Sequence, residues 1–531
     1  MPSPKSAAGS TAKTGSTAAL RMALFLLGCL LVFAALQSQL DDLELVEITP
    51  YFFVAIALQF FPFVVRSKAD LFEPASIAGA LNLIALVPAF TAFVVQRGVS
   101  ISMLPMVTGR ARIELVQTVL VGYSVGAVSY YAGYYLGWGR RLTGIFPDIA
   151  GGEWRRPRLL LVTAFCAALF IPAYAYFQAR VGASLTDITQ LAAGKAVWRE
   201  DATMSWLMRA AGLGFIPLLL YVAHHFRGLP VPRWISGPPI IAHVVHLVRH
   251  APPFFRTVKG RRALFTLLAF FVVSFLVTRL GQRGMAIYVG LSALIIAHYI
   301  WRRLPTTLIV ALAFAAMVLT NVLGAYRSNR DQTTATMPGP TANFNAAETL
   351  VEHEDDRQRF AAMAVVFHHF PDRRDYLMGE SWAAVAAVLI PRWVWPEKAK
   401  MFVWRDTNMI PELVGRPVPV TYLALLYANF SWIGVVLGMG LFGVYQRGLY
   451  EWLLRNQRDK SVVAFYSLAV LYLVPTLIQL SAAVGYLLPV YVAVLFIRKK
   501  APLAKVAKTG RPADLSRPPL ALPEPGPAAA E

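Results

Sequence analysis

Residues 421–446 read TYLALLYANFSWIGVVLGMGLFGVYQ and contain no Asp, Glu, Lys or Arg. A helix needs about 20 mostly apolar residues to cross a bilayer, and it satisfies its own backbone hydrogen bonds there. The stretch therefore predicts a membrane-spanning helix. The same criterion selects further candidate spans at 20–37, 50–65, 74–96, 115–137, 159–178, 204–223, 263–279, 284–301, 305–325, 461–479 and 481–497.

The composition favours the same class of protein. The 531-residue chain is 57% hydrophobic and 15% charged, whereas soluble domains have about 25% charged residues. The net charge of +21 alone would suit a nucleic-acid-binding protein, but the long apolar runs exclude that class. Cys29 and Cys166 lie inside apolar runs, so we expect neither a disulfide framework nor a thiolate metal site. We predict an all-α, polytopic integral membrane helical bundle of about 12 transmembrane helices.

The charged residues separate by predicted side of the membrane. With the N-terminus in the cytoplasm, the cytoplasmic segments hold 30 Lys and Arg against 9 Asp and Glu, and the outer segments hold 19 against 20. Because cytoplasmic loops carry the excess of Lys and Arg, both termini are predicted to be cytoplasmic. The predicted organisation is a disordered tail, nine spans, one large partly helical periplasmic loop, three spans and a second disordered tail, at residues 1–19, 20–325, 326–420, 421–498 and 499–531.

The predicted periplasmic loop, residues 326–420, is rich in polar chemistry, with 11 basic and 12 acidic residues. A large folded loop on one face of a bundle commonly carries the function. Its middle, from about residue 346 to residue 369, is predicted to be helical. The apolar face of that helix would consist of Phe360, Met363, Ala364 and Phe367.

Three side chains near the predicted outer surface are candidate general bases: His368, Glu380 and Asp406. A histidine titrates near neutral pH, and a carboxylate can take the proton of an attacking hydroxyl. A solvated loop position is the alternative for each. The acidic run at 352–356 is expected to be a solvated helix face, and its consecutive residues cannot share one face to hold a metal ion.

Arginines at the outer ends of predicted spans are candidate ligands for phosphate or pyrophosphate. Guanidinium groups bind phosphate through paired, charge-assisted hydrogen bonds. Snorkelling to lipid phosphates is the alternative, and it is weakest for Arg283, which lies in the short turn 281–284. The candidates are Arg180, Arg279, Arg283, Arg327, Arg392 and Arg405.

Signatures of cofactor chemistry are missing from the sequence, which has no GxxxxGK[ST], no strand-bound GxGxxG and no HExxH. We therefore predict no cofactor, neither metal nor nucleotide.

His243, His246 and His250 share one helical face, and an amphipathic helix on the cytoplasmic leaflet is preferred over a metal stripe. Arg209 is the clear charged residue within a predicted span, and it is either a snorkelling side chain or a site residue. Because the predicted spans contain so few charged residues, the sequence weighs against a transporter.

Three short stretches carry a family resemblance: the turn Gly281-Gln282-Arg283-Gly284, the loop PRWVWPEK at 391–398 and YANFSWIG at 427–434. Together they resemble the oligosaccharide repeat-unit polymerases (Wzy-type, O-antigen polymerase-like) of bacterial surface-polysaccharide assembly. Many members of that family have Glu-x-Tyr-x-Asn-Phe-Gly at the last stretch. This chain departs from the pattern at the first and last positions, where it has Leu425 and Ser431.

The resemblance implies a multi-pass glycosyltransferase of the bacterial inner membrane. At its periplasmic face, the non-reducing-end hydroxyl of one undecaprenyl-pyrophosphate-linked oligosaccharide would attack the anomeric carbon of another and expel undecaprenyl pyrophosphate. The product would be an O-antigen, capsule or exopolysaccharide. Expected partners are the lipid-linked oligosaccharide, membrane lipids, a chain-length regulator and a flippase, with no nucleic acid. An O-antigen ligase and a lipid-linked glycan flippase or transporter are the alternatives.

The resemblance also implies roles for particular residues. The arginines, chiefly Arg283, Arg327, Arg392 and Arg405, would contact pyrophosphate or glycan and stabilise the charge of the leaving group. His368, Glu380 or Asp406 would take the hydroxyl proton. Tyr427 and Asn429 would shape the floor of the cavity.

Overall fold

The structure is a computed structural model. It describes residues 43–65, 70–95, 107–181, 212–226, 258–279, 283–301, 354–380, 421–457, 459–473 and 480–499, with isolated residues at 24–31, 303–312 and 395.

The described residues are almost entirely helical, as the apolar runs predict. The α-helices are α1 (Leu43–Gln59), α2 (Phe61–Val65), α3 (Pro74–Val95), α4 (Gly109–Tyr135), α5 (Arg156–Val181), α6 (Phe215–His225), α7 (Val258–Arg279), α8 (Arg283–Ile296), α9 (Glu354–His369), α10 (Tyr422–Arg455), α11 (Lys460–Tyr472) and α12 (Leu480–Ile497). A 3-10 helix (Trp138–Ile145) follows α4 and a π-helical turn (Ala297–Trp301) follows α8. Two short antiparallel strands, β1 (Glu153–Trp154) and β2 (Arg498–Lys499), pair with each other.

Three helices are long and apolar enough to cross a membrane: Gly109–Tyr135, Arg156–Ala179 and Tyr422–Arg455. Large apolar side chains are also exposed at helical spacing, as at Ile433 (70%) and Leu441 (70%). Contiguous exposed apolar surface of this kind is rare on a soluble monomer. These features indicate a helical membrane protein. The number of spans, the sidedness and the periplasmic position of the loop stay predictions, because several predicted spans lie outside the described residues.

The central contact of the fold joins α4 and α10, which run side by side in the same direction. Gly126 lies beside Met439, and the guanidinium of Arg447 lies 5.4 Å from the ring centroid of Tyr134. Glycines let the two backbones meet, because a side chain at Gly133 would collide with the backbone of α10. Close helix contact through small residues is typical of membrane proteins.

Two apolar cores lie on either side of this contact. The first is formed by α1, α3, α4, α9 and the first part of α10. The second is formed by α5, α6, α8, α11, α12 and the last part of α10. Because α10 belongs to both cores, its conformation decides how the two parts of the molecule meet.

The span predicted at 421–446 corresponds to α10, which is long and apolar enough to cross a membrane but contains a break that the prediction did not include. The helix α10 has non-helical backbone at Phe430 (φ −139°, ψ 19°) and Ser431 (φ 57°, ψ −154°). Sequence hydropathy could not reveal this break, because the residues on both sides of it are equally apolar. The helix predicted before residue 369 is present as α9, but residues 360–367 are buried on all faces rather than on one.

Candidate functional site

The break in α10 turns the helix into a hairpin. The rings of Tyr422 and Phe442 lie 5.2 Å apart, although a straight helix would separate these residues by about 30 Å. The Leu426 side chain packs where Gly438 has no side chain. A short arm (residues 422–429) therefore lies against a long arm (residues 432–455). We call Phe430 and Ser431 the hairpin tip.

The hairpin tip adopts a backbone conformation that is costly for its sequence. Ser431 has φ 57° and ψ −154°, a region populated almost only by glycine. Such strain persists only where the surrounding structure holds it. The resemblance implies glycine at this position, so the departure at Ser431 falls on a conformation that glycine favours.

The short arm begins inside the protein rather than at a surface. Thr421, 3% exposed, caps it, because its Oγ1 accepts a hydrogen bond from the N–H of Ala424 at 3.2 Å. The same hydroxyl lies 3.8 Å from the sulfur of Met363 in α9. A cap is needed here because the first amides of a helix have no partner within it, and none can reach water at this depth.

The helix α9 lies across α4 close to the short arm. Met363 and Phe367, one turn apart, both reach the bare backbone of Gly122. Phe360 packs among aromatic rings of α1 and α3, at 5.8 Å from both Phe52 and Phe93. An apolar helix buried on all sides fits the interior of a bundle better than a solvated loop.

The loop after α9, residues 370–380, is joined to the hairpin through backbone groups. The N–H of Leu377 donates to the carbonyl of Ala428 at 3.0 Å, and that of Met378 donates to the carbonyl of Asn429 at 3.1 Å. The Asn429 side chain, fully buried, accepts from the N–H of Gly379 at 3.1 Å and donates to the carbonyl of Leu425 at 2.7 Å. The Asn429 side chain thus provides a hydrogen-bond partner both for the Gly379 N–H of the loop and for the Leu425 carbonyl of the short arm.

Aromatic rings complete this region. The ring of Tyr427 stacks on Phe367 with centroids 3.9 Å apart, and the rings of Trp432 and Tyr376 approach its edges at 5.5 and 6.0 Å. Its hydroxyl donates to the carbonyl of Phe370 at 3.3 Å. We call the hairpin tip, the end of α9 and the loop 370–380 the hairpin site.

The structure brings part of the predicted site together. Tyr427 and Asn429 lie at the hairpin site, although as packed, hydrogen-bonded residues rather than as an open floor. His368 ends α9 beside the buried His369, and Glu380 is exposed at the end of the loop, where its N–H donates to the carbonyl of Leu377 at 2.8 Å. His369, which neighbours the predicted His368, is an equal acid–base candidate from the sequence, whereas the aromatic Tyr376 was missed although it lies near predicted residues.

The predicted arginines are described only in part. Arg180 lies near the end of α5, Arg279 ends α7 and Arg283 begins α8, and for these three only the backbone is described. The remaining predicted site residues lie outside the described part of the chain: Asp406, Arg327, Arg392 and Arg405.

A second polar cluster lies at the other end of the long arm. Asp70 accepts hydrogen bonds from the hydroxyls of Tyr299 (2.7 Å) and Tyr450 (3.0 Å). The guanidinium of Arg447 contacts Glu451 and lies 3.6 Å from Glu73. We call this the charged cluster.

The charged cluster shows that ionisable side chains are buried between the predicted spans. Glu73, Arg447 and Glu451 are at most 6% exposed, although all three fall between the predicted spans. One signal was available in the sequence, because Arg447 and Glu451 are spaced i, i+4 on a continuous helix. Arg209, the predicted intramembrane charge, lies outside the described residues.

No protein-family model, curated protein or solved structure matches the chain.

Proposed function

We propose that the protein is a membrane glycosyltransferase that polymerises undecaprenyl-pyrophosphate-linked oligosaccharide repeat units into a surface polysaccharide. It would act at the periplasmic face of the bacterial inner membrane. One observation supports this most: the stretch YANFSWIG, which resembles the polymerases, forms the hairpin tip and bonds to the loop that carries the acid–base candidates.

The predicted sidedness agrees with the contacts. Arg112 pairs with Glu44 at 2.9 Å, and both fall on the predicted outer side. Arg140 pairs with Glu451 at 3.5 Å, and both fall on the predicted inner side. Each ion pair thus joins segments that the charge distribution assigns to the same face. The hairpin site would face the periplasm and the charged cluster the cytoplasm.

The reaction needs a base, a binding site for the leaving group and a shield from water. The acceptor hydroxyl gives its proton to His368 or Glu380, its oxygen bonds to the anomeric carbon of the donor, and the bond from that carbon to the pyrophosphate oxygen breaks. Arg283, with the arginines of the loop, would hold the departing pyrophosphate. The aromatic rings around Tyr427 exclude water from this side of the site.

The length distribution of the polysaccharide tests the proposal. Arg283→Ala, Arg392→Ala and Asn429→Ala would each be expressed in a strain that lacks the native gene, with Arg455→Ala as the control at the opposite end of α10. We expect each of the first three variants to shorten or abolish the long chains, the two arginine variants at unchanged protein level. Normal long chains in both arginine variants would overturn the assignment.

The deletion strain separates the polymerase from the ligase. Accumulation of single repeat units on the lipid supports a polymerase, whereas accumulation of long lipid-linked chains indicates a ligase. Formation of polymer by the purified protein from a lipid-linked repeat unit would establish the activity directly.

A transporter of lipid-linked glycans is the second candidate, and the charged cluster is the observation that favours it. Ionisable residues buried in a membrane protein commonly mark a transport pathway. Proteoliposomes that hold a lipid-linked repeat unit separate the two functions. A transporter moves the glycan to the opposite leaflet without changing its length, and a polymerase lengthens it.

A further inference from the structure

A group of basic side chains surrounds the end of α6 and belongs to neither the hairpin site nor the charged cluster. The helix α6 packs against α5, α7 and α11, and its last two residues are His224 and His225. The other three helices carry a basic residue near their start: Arg156 begins α5, Lys460 begins α11 and Arg262 lies four residues after the start of α7. We call these three residues the basic cluster.

Printed contacts fix the centre of the basic cluster. The Lys460 Nζ lies 3.4 Å from Nδ1 of His224 and 5.2 Å from the ring centroid of Trp154. The rings of Trp154 and His224 are nearly parallel, with centroids 6.3 Å apart. The indole N–H of Trp154 donates to Oγ of Ser461 at 2.9 Å. Because Trp154 comes two residues before Arg156, these contacts hold the start of α5 against the start of α11.

The two histidines show that the charges around them are positive. Burial lowers the pKa of both rings, and the positive charges of Arg156, Arg262 and Lys460 lower it further. Both rings are therefore neutral at neutral pH. Within the described part of the chain, every charge that acts on His225 is positive. Three cations thus act together on the end of α6.

The acidic residues beside the basic cluster are engaged in other contacts. The carboxylate of Asp459 accepts hydrogen bonds from three backbone N–H groups, two in the first turn of α11 and one in the loop before β1. Glu153 lies in β1, where it pairs with Lys499, a further cation. Among the described residues, neither Arg156 nor Arg262 makes an ion pair, and both side chains are exposed.

The adjoining sequence supplies no acidic residue either. Residues 227–257 join α6 to α7, and residues 500–513 follow β2. Together these two segments contain eight Lys and Arg residues and no Asp or Glu. They therefore cannot neutralise the basic cluster, and an anion from outside the chain would.

Exposed apolar side chains next to the basic cluster indicate where that anion comes from. Leu160, one turn after Arg156, is 60% exposed, and Phe265, three residues after Arg262, is 73% exposed. The helix α5 is also one of the three that are long and apolar enough to cross a membrane. Cations and a tryptophan at the border of such a surface are typical of the level of the lipid headgroups.

We propose that the phosphate group of an anionic phospholipid binds to the basic cluster at the end of α6, with its acyl chains along the exposed faces of α5 and α7. Guanidinium and ammonium groups bind phosphate oxygens through charge-assisted hydrogen bonds. Basic pockets between membrane helices on the cytoplasmic side bind such headgroups, and the predicted sidedness assigns the cluster to that side. The site does not depend on glycan transfer.

Thermal unfolding of the purified full-length protein in a neutral detergent tests the proposal. The probes are phosphatidylglycerol and phosphatidylcholine with the same acyl chains, and inorganic phosphate exchanged for chloride at constant ionic strength. We expect phosphatidylglycerol to raise the Tm in a saturable manner and more than phosphatidylcholine does, because a ligand that binds the folded protein alone stabilises it. An equal response to the two lipids, or the same response to inorganic phosphate, would exclude an anionic lipid at this site.

Arg156→Gln and Arg262→Gln locate the headgroup, because each removes one exposed guanidinium. We expect each variant to raise the apparent Kd for phosphatidylglycerol about fivefold, the equivalent of about 1 kcal/mol, and Lys460→Met to abolish the response. Arg141→Gln is the control, because Arg141 is an exposed arginine on the same predicted face, in the 3-10 helix after α4. A control that weakens binding as much as the two arginine variants would show diffuse attraction without a site, and this comparison holds even if Lys460→Met fails to fold.

Discussion

The two ends of the long arm of α10 are held by different contacts. At the hairpin site, the bonds to the loop involve mostly backbone groups, and aromatic rings fill the surrounding space. At the charged cluster, carboxylates, guanidinium groups and tyrosine hydroxyls face one another. Hydrogen bonds between backbone groups persist when a side chain is substituted. A buried charged group, in contrast, is destabilised when any one of its partners is removed. The hairpin site should therefore tolerate substitution except at Asn429, whose side chain bonds to two backbone groups, and where the backbone is strained, and the charged cluster should not.

The largest expected effect comes from Arg447→Met. The variant removes the guanidinium and leaves buried carboxylates without their counter-charge, which costs about 3–5 kcal/mol of unfolding free energy. Arg455→Met is the control, because Arg455 lies on the same arm but at an exposed site, where it donates to Thr143 at 2.8 Å. Chemical unfolding in detergent measures both. Equal losses in the two variants would show that burial of the charge is unimportant.

The next effect concerns Asn429→Ala at the hairpin site. The variant leaves the Gly379 N–H and the Leu425 carbonyl without the partner they share, and we expect a loss of about 1–3 kcal/mol. Asn456→Ala is a matched control, because its side chain makes one bond, to the carbonyl of Trp452 at 2.9 Å, at a less buried position. The same unfolding measurement compares them. A control variant as destabilised as Asn429→Ala would contradict the role given to that residue.

A gain in stability is expected for Ser431→Gly. Glycine adopts the observed φ and ψ without strain, so the variant should be more stable by about 1 kcal/mol. Ser124→Gly, inside the regular helix α4, should lose about 0.5–1 kcal/mol because glycine weakens a helix interior. The difference in Tm between these two variants is the measurement. If both glycine variants lose stability, the strain at the tip is absent.

The smallest expected effect is a pH dependence of stability that arises from His224, near the end of α6. Burial of the ring, and after it the positive charge of Lys460, lowers the pKa of His224 to about 4. The pKa in the unfolded chain is about 6.5. The unfolded state therefore binds this proton first on acidification, and stability is lost as the pH falls from about 6.5 towards 4. After solvent screening we expect less than about 1 kcal/mol. A plot of Tm against pH should be flatter for His224→Phe, and identical plots would exclude the assignment.

Much of the helical framework follows from the sequence because the apolar-run criterion is local. The runs at 74–96 and 159–178 correspond to Pro74–Val95 and Arg156–Val181, with ends shifted by a few residues. Tyr427 and Asn429 were chosen from the resemblance alone; they lie next to the hairpin tip, and their role in a cavity stays a prediction. The sequence did not indicate that both would be tied to the loop before Glu380.

The remaining features depend on contacts between residues far apart in the chain. The contact of Tyr422 with Phe442 folds α10, and hydropathy is the same for a folded and a straight helix. Burial of Glu73 requires Arg447, which lies in a different part of the sequence. In the sequence these charges fall between the predicted spans, and only the packed helices show that Glu73 and Arg447 are buried.

The folding back of α10 also affects the electric field at the hairpin tip. The short arm ends and the long arm begins there, so the negative end of one helix dipole meets the positive end of the other. Each end carries about half an elementary charge, and side by side they largely cancel. The tip therefore offers an anion little of the attraction that a lone helix N-terminus would provide. An anionic substrate at this site must obtain its attraction from arginine side chains.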